Sequence, residues 1–366
     1  MRFSILSGAY KNAGDFLIVK RCTELLKYVY PDCTIESYER RNDLTSYLPM
    51  INESNCLILA GGPAYRANIY PQVIPLVDDL SQIKVPIFAM AMGCKNWQKT
   101  DRFNESTMNL WKRIEADGFS LGCRDWRSVA VLNHEGIAKT IMTGCAAWYN
   151  VPLLTTKSLT KKISSRSEIR SICVSDAAET KNHEQSLLLI RYLRRIFPEA
   201  KINFVFHRGI SADKNTPVKD GTALQLLIKE LEQMKLEYVD ISYGVEGFQI
   251  YDQCDLHIGF RVHAHIYNLS CGNCSILIEE DQRGTGVNEA LGFMSIKAYH
   301  ATESLHSKAL TYILDKHGTN KIDVIKKVEE CLNYLSETGF TPYDWVFERI
   351  EYYFKQMIKH IQSIRS

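Results

Sequence analysis

The 366-residue chain carries almost no net charge. Lys and Arg number 44 against 42 Asp and Glu, which leaves +2. Binding to nucleic acid draws on a basic surplus that neutralises phosphates, so that class of partner has no electrostatic support here. Long apolar runs are also missing. No stretch approaches the roughly 18 consecutive apolar residues of a membrane-spanning helix. The opening segment MRFSILSGAYKNAGD turns polar too early for the apolar core of a secretory signal, so a cytoplasmic location is expected. Short repeats and low-complexity tracts are absent. No D-x-D carboxylate pair stands at the end of an apolar run, and neither a metal nor another cofactor is expected. Cysteine, by contrast, is not scarce. The 11 cysteines are dispersed, and Cys56, Cys173 and Cys274 sit inside apolar runs. Without an export signal they read as buried, reduced thiols. Only Cys271 to Cys274, CGNC, has metal-ligand spacing, and it reads as a turn before a strand.

What is present is an ordinary soluble composition, 45% apolar and 23% charged. The length exceeds what one core usually holds, so two domains are expected. Apolar runs alternate with helical periodicity along both halves. Arg2 to Leu6 reads as a strand that runs into the loop SGAYKNAGD and then a helix ending before Pro31. Thr34 to Tyr38, Cys56 to Ala64 and Pro86 to Gly93 read as further strands, the last two ending in glycine. Helices are expected over 70–82, 104–117 and 124–135. Periodicity lapses between 150 and 170, a polar, basic stretch rich in Ser and Thr that reads as a linker. Strands then resume at 171–176, 202–207, 238–241, 255–260 and 274–278, with helices between them, one of them over 246–254. This alternation predicts two parallel, doubly wound sheets: an N-terminal domain over 1–155 and a C-terminal domain over 168–340. Beyond Gly292 the chain turns helical. A last helix over 341–366 bears an apolar stripe that includes Trp345, Ile350, Tyr353 and Met357. It is expected to pack back on the body, with peripheral membrane contact as the other reading of a basic amphipathic helix.

The stretch from Cys254 to Gly286 concentrates the most reactive chemistry beside the most predicted core. One strand ends at Arg261, followed by His263 and His265 on a short helix. A second strand ends at Glu279, Glu280, Asp281 and Arg283. In open α/β sheets ligands bind beyond the carboxyl ends of strands, and both charged clusters fall there. His257 alternates within its strand and reads as structural. His265 faces elsewhere than His263. His207 and Arg208 end another strand.

Four segments resemble the polysaccharide pyruvyl transferase family. KNAGDFLI (11–18) resembles its N-x-G-D-x-L-I opening, LILAGGPA (57–64) its glycine-rich strand end, and SLGCRDWRSVAVL (120–132) its R-D-x-x-S segment. DLHIGFRVHA, which starts at Asp255, is similar to its D-x-x-I-G-x-R-L-H-A signature. The matches run in order from residue 11 to 286. The chain departs from the pattern at TGCAAWYN (143–150), where the family often has Asp-Pro. It also has Val262 in place of Leu, and Arg283 nearest the usual Lys. The resemblance implies a GT-B-like pair of Rossmann-like domains facing a cleft. It also implies transfer of a pyruvyl group from phosphoenolpyruvate to two hydroxyls of a saccharide, in a surface-polysaccharide precursor that is lipid-linked in one reading. A ketal forms and phosphate leaves.

On that implication Arg261 anchors the donor anion and His263 donates a proton. Arg208, His207, Glu280 and Arg283 complete the donor side. Asn12, Gly14, Asp15, Gly61, Gly62 and Arg124 line the acceptor side. Asp15 has an alternative as a helix cap. Glu280 also sits where GT-B enzymes hold a donor ribose, which keeps open a glycosyltransferase using a nucleotide sugar. A non-catalytic scaffold in polysaccharide assembly is the reading from another class.

Overall fold

The computed structural model describes residues 1–94, 102–211, 213, 221–294, 296–298 and 323–364. In the N-terminal half, β1 (Arg2–Ser7), β2 (Thr34–Glu39), β3 (Cys56–Ala60) and β4 (Ile87–Met90) form a parallel sheet in the order β2-β1-β3-β4. A single parallel bridge between Met92 and Cys123 joins it to the pair β5 (Leu121–Cys123) and β6 (Thr140–Met142). Strands buried on both faces read as unbroken apolar runs, and β3 and β4 are buried at every position. The edge strand β2 is half exposed and mixed in character. The helices α1 (Ala13–Val29), α2 (Leu48–Asn52), α3 (Glu105–Ala116) and α4 (Trp126–His134) connect these strands. Asp125 caps α4, its Oδ1 accepting from Ser128 N at 2.7 Å and Ser128 Oγ at 2.8 Å.

The C-terminal half repeats the plan after the short α5 (Val151–Thr155). Six strands form a parallel sheet: β7 (Ser171–Ser175), β8 (Lys201–Phe206), β9 (Glu237–Asp240), β10 (Leu256–Gly259), β11 (Cys274–Glu279) and β12 (Ile296–Lys297). Their order is β12-β11-β10-β7-β8-β9. The helices α6 (His183–Ile196), α7 (Gly221–Gln233), α8 (Val262–Ser270) and α9 (Gln282–Leu291) join them. Both sheets are doubly wound. The first reverses direction between β1 and β3, the second between β7 and β10. Each reversal opens a crevice at the carboxyl ends of its two strands.

The two sets of carboxyl ends face one another. The loop after β1 docks on the C-terminal half. Ala13 N donates to His207 O at 3.0 Å, Tyr243 N donates to Lys11 O at 2.8 Å, and Lys11 Nζ lies 2.9 Å from Asp213 Oδ2. Two helices close the chain, α10 (Val324–Glu337) and α11 (Pro342–Gln362). The latter joins both halves. Near its start, Tyr343 Oη donates to Ser275 O and accepts from Ser275 N, each at 2.9 Å. Near its end, His360 lies 3.0 Å from Ala89 O and stacks on Phe88. Among the described residues, no helix is long and apolar enough to cross a membrane.

Three local expectations are corrected. No α-helix forms over 70–82: Pro75 lacks the amide donor a helix interior needs, Leu76 adopts φ 54°, and only a 3₁₀ turn at Leu80–Gln82 remains. The segment Glu246–Tyr251 is 3₁₀ rather than α. The stretch 150–170 is not featureless, since it carries α5 and a 3₁₀ turn at Arg166–Glu168. Of the helical region expected after Gly292, residues 299–322 lie outside the described residues.

Candidate active site

The N-terminal wall is built from the ends of β1, β2 and β3. Asn12 occupies the N-cap position of α1 with an extended backbone, and its side chain bonds to Asp15. Gly14 follows in the first turn. A Cβ there would lie 2.0 Å from His263 Nδ1 and 2.7 Å from His263 Cβ. Only glycine lets the imidazole of α8 come so close to α1, and this contact crosses the seam between the halves. The Asp15 carboxyl is pushed upward by burial. Arg40, the bond from Asn12, Arg283 and Arg208 pull it back. Arg40 extends from the end of β2. Its guanidinium stands 2.5 Å from a Gly8 Cβ and 3.0 Å from a Gly62 Cβ.

The C-terminal wall centres on the reversal point between β7 and β10. Arg261 begins α8. Its backbone N donates to Ser175 Oγ at 3.1 Å, and its guanidinium engages Asp176, with Nε 2.7 Å from Oδ1. Asp176 Oδ1 also accepts from His207 N at 3.2 Å. Arg261 is thus a guanidinium fixed in place by a buried carboxylate. That partner lies 85 residues earlier in the chain. Arg283, in the first turn of α9, pairs with Asp281 at 2.7 Å. Arg208 lies open to solvent. It is close enough to Arg261, Asp15, Asp176 and Arg283 for their charges to act on it.

His263 stands between the walls. Burial first, then Arg283, Arg124 and Arg261, depress its pKa to about 3, with Asp281 opposing. The free protein therefore holds a neutral imidazole inside a cationic pocket. An oxyanion bound there would be attracted by the guanidinium groups and would favour protonation of His263. Fixed cations beside a tunable proton carrier, facing a carboxylate across a narrow seam, suit proton transfer to an anionic substrate.

Other predicted residues are placed differently. The His207 ring does not face the cleft. It is buried between Phe248 and Tyr251, with Nε2 2.7 Å from Tyr251 Oη, and only its carbonyl reaches the seam. Glu280 is turned to its own domain, where its carboxylate accepts from Ala178 N at 2.8 Å, Glu179 N at 3.0 Å and Asn182 Nδ2 at 2.5 Å. It holds the loop after β7. A Cβ at Gly61 would lie 2.5 Å from Ile18 Cγ2 of α1. Arg124 is buried, with Nη2 donating to Cys94 O and Nε 3.3 Å from Asp125, while its charge still reaches His263. His257 and His265 share the Ser275 hydroxyl, each at 2.7 Å, and belong to the core. Sequence reasoning missed Arg40 and Asp176. Glu39, Arg40 and Arg41 form a charged run at the end of β2 that reads in sequence as solvated surface.

A family model described as polysaccharide pyruvyl transferase matches residues 12–282. No curated protein matches the chain. Among solved structures, the S. aureus MnaA–UDP co-structure aligns over 97% of this chain and 97% of its own, at 11% identity and a TM-score of 0.53. A Listeria monocytogenes protein described as a UDP-N-acetylglucosamine 2-epimerase aligns over 94% of this chain and 90% of its own, at 10% identity and a TM-score of 0.52. At such identities the likeness is one of fold: two Rossmann-like domains facing a cleft.

Proposed function

The chain belongs to the polysaccharide pyruvyl transferase family, and from that premise we propose that it transfers a pyruvyl group from phosphoenolpyruvate to two hydroxyls of a saccharide. The product is a cyclic ketal, and phosphate is released. The observation that carries this reading is the neutral His263 set among Arg283, Arg124 and Arg261 and pressed against Gly14 of the opposite wall. The donor carries a carboxylate and a phosphate, which matches a pocket of fixed guanidinium groups.

Two acceptor oxygens bond to C2 of the donor, and the C2–O bond to phosphate breaks. One hydroxyl proton ends on the methylene carbon, which becomes a methyl, and the other leaves on phosphate. Donor binding would lift the pKa of His263 and load it with the proton for the methylene. Asp15, across the seam, would accept a proton from an acceptor hydroxyl. Arg261, pre-set by Asp176, would hold the donor at the reversal point of the second sheet, with Arg208 and Arg283 beside it.

The engagement of both Glu280 oxygens with the loop at 178–182 weighs against a nucleotide-sugar donor held through a ribose. Trp345 and Tyr352 are exposed aromatic side chains of α11, the helix that a peripheral membrane contact would use. The test is acceptor-dependent phosphate release from phosphoenolpyruvate by the purified chain, with His263→Asn as the comparison. Release lowered by about 100-fold or more in the variant would support the assignment. Equal release by both proteins would refute the role of His263.

A further inference from the structure

A second cationic feature lies on the N-terminal wall, apart from the group around His263. Arg40 follows the end of β2, the edge strand, and its backbone N donates to Ser7 O at 3.0 Å. From there its guanidinium reaches over the ends of β1 and β3. A side chain at Gly8 would strike Arg40 Cζ at 2.5 Å, and one at Gly62 would meet Nη1 at 3.0 Å. Both loops are therefore kept bare where the guanidinium lies. Among the described residues Arg40 forms no ion pair, although its charge acts on Asp15. Its Nε is buried without a hydrogen-bond partner, and so is the nearby Tyr10 Oη. Arg41 stacks on the Tyr10 ring, 3.6 Å from its centroid, and fixes the orientation of the phenol.

Unpartnered buried donors cost stability unless something binds them. Here a planar guanidinium and a phenol, both with donor capacity left over, are held at the reversal point of the first sheet. That is where an open α/β sheet takes ligands. A guanidinium fork favours phosphate or carboxylate. We propose that Arg40, with the Tyr10 hydroxyl, forms a second oxyanion site that holds a phosphate or a carboxylate carried by the acceptor saccharide. The site rests on the reading of the N-terminal wall as the acceptor side. It gives that wall a chemical preference: acceptors bearing an anionic group beside the reacting hydroxyls are bound more tightly than neutral ones.

The two anion sites can be titrated separately. Wild-type protein saturated with phosphoenolpyruvate is titrated with inorganic phosphate in one arm and glucuronate in the other, by calorimetry. The expected result is one remaining anion site in at least one arm. Arg40→Gln should weaken it by at least about tenfold, and Tyr10→Phe should weaken it to a lesser extent. Arg40→Lys keeps the stem beside Gly8 and Gly62 and should retain part of the affinity, which separates loss of charge from loss of packing. Affinity for phosphoenolpyruvate should change less than about twofold in Arg40→Gln, since its anchors lie on the other wall. The anion that responds identifies the acceptor group.

Wild-type protein that binds neither anion once the donor is in place would overturn the proposal. So would Arg40→Gln binding both anions as well as wild type does. If phosphoenolpyruvate itself does not bind, the transferase reading fails. The same titrations on unliganded wild type and Arg40→Gln then still decide the second site.

Discussion

Gly14→Ala separates activity from stability at a single atom. Gly14 lies in the first turn of α1 with ordinary helical geometry. Within that helix alanine is the better residue, by up to about 1 kcal/mol. Across the seam the effect reverses. The new Cβ would fall 2.0 Å from His263 Nδ1 and 2.4 Å from its Cγ, whereas ordinary contact starts near 3.4 Å, so the ring must retreat by about 1.4 Å. Rotation about χ1 alone cannot relieve this, because His263 Cβ is itself only 2.7 Å away. Either the α8 backbone shifts or the domains part. A displacement of about 1 Å at a reacting group costs on the order of 100-fold in rate. The expected result is a fall in kcat of about 100-fold with a modestly lowered thermal midpoint, because the helix gain offsets only part of an overpacking cost of about 1–3 kcal/mol. Steady-state phosphate release and differential scanning calorimetry on the same preparation read the two quantities. Retention of kcat within about twofold would refute the placement of His263 at the reacting centre. A collapse of the midpoint would show that Gly14 serves folding rather than the seam.

Other perturbations have signs set by the structure. Burial depresses the pKa of His263 and His265 to about 3 and that of His360 to about 4, and it drives His207 and His257 well below the ordinary value. The unfolded chain takes up these protons first. The stability these groups contribute is therefore complete above about pH 6.5 and is lost as pH falls towards 3 or 4, at up to about 1.4 kcal/mol per pH unit for each group. Urea unfolding at pH 7 and pH 5.5 should show a large loss, and equal stability would contradict the buried neutral histidines. Nuclear magnetic resonance of His263 should show a neutral ring at pH 6 in the free protein and a protonated one with phosphoenolpyruvate bound; no change on binding would remove its role as proton donor. Arg261→Ala strands the buried Asp176 carboxylate and should cost about 3–5 kcal/mol. Arg261→Ala/Asp176→Ala should recover part of that stability without donor affinity, checked by denaturation and calorimetry. Tyr343→Phe removes both bonds to Ser275 and should cost about 1–3 kcal/mol in chemical denaturation.

The sequence reveals the fold where strands are buried on both faces. CLILA, IFAM and CSILIE are unbroken or nearly unbroken apolar runs, and each becomes a strand buried at every position. Their ends, at glycine or at charge, mark the face that binds. The misread stretch at 70–82 had helical spacing of apolar residues, but Pro75 overrode it. At the site, local motifs named the residues of each wall, while pairings across the chain stayed hidden. Arg261 is visible as a charged strand end. Nothing near it in sequence shows that Asp176 holds it. Arg40 escaped notice because a Glu-Arg-Arg run after a half-exposed edge strand resembles a solvated surface. Only the bare spaces over Gly8 and Gly62 reveal that it turns inward. The imidazole of His207 stands at a strand end, but on the side facing Phe248 and Tyr251.

We propose a cleft suited to a small donor that bears one carboxylate and one phosphate rather than to a nucleotide. Parallel calorimetric titrations of the unliganded protein with phosphoenolpyruvate and with UDP test it most directly. The expected result is saturable binding of phosphoenolpyruvate that weakens at least about tenfold in Arg261→Lys, with little or no binding of UDP. Saturable binding of UDP, with no heat from phosphoenolpyruvate, would contradict it.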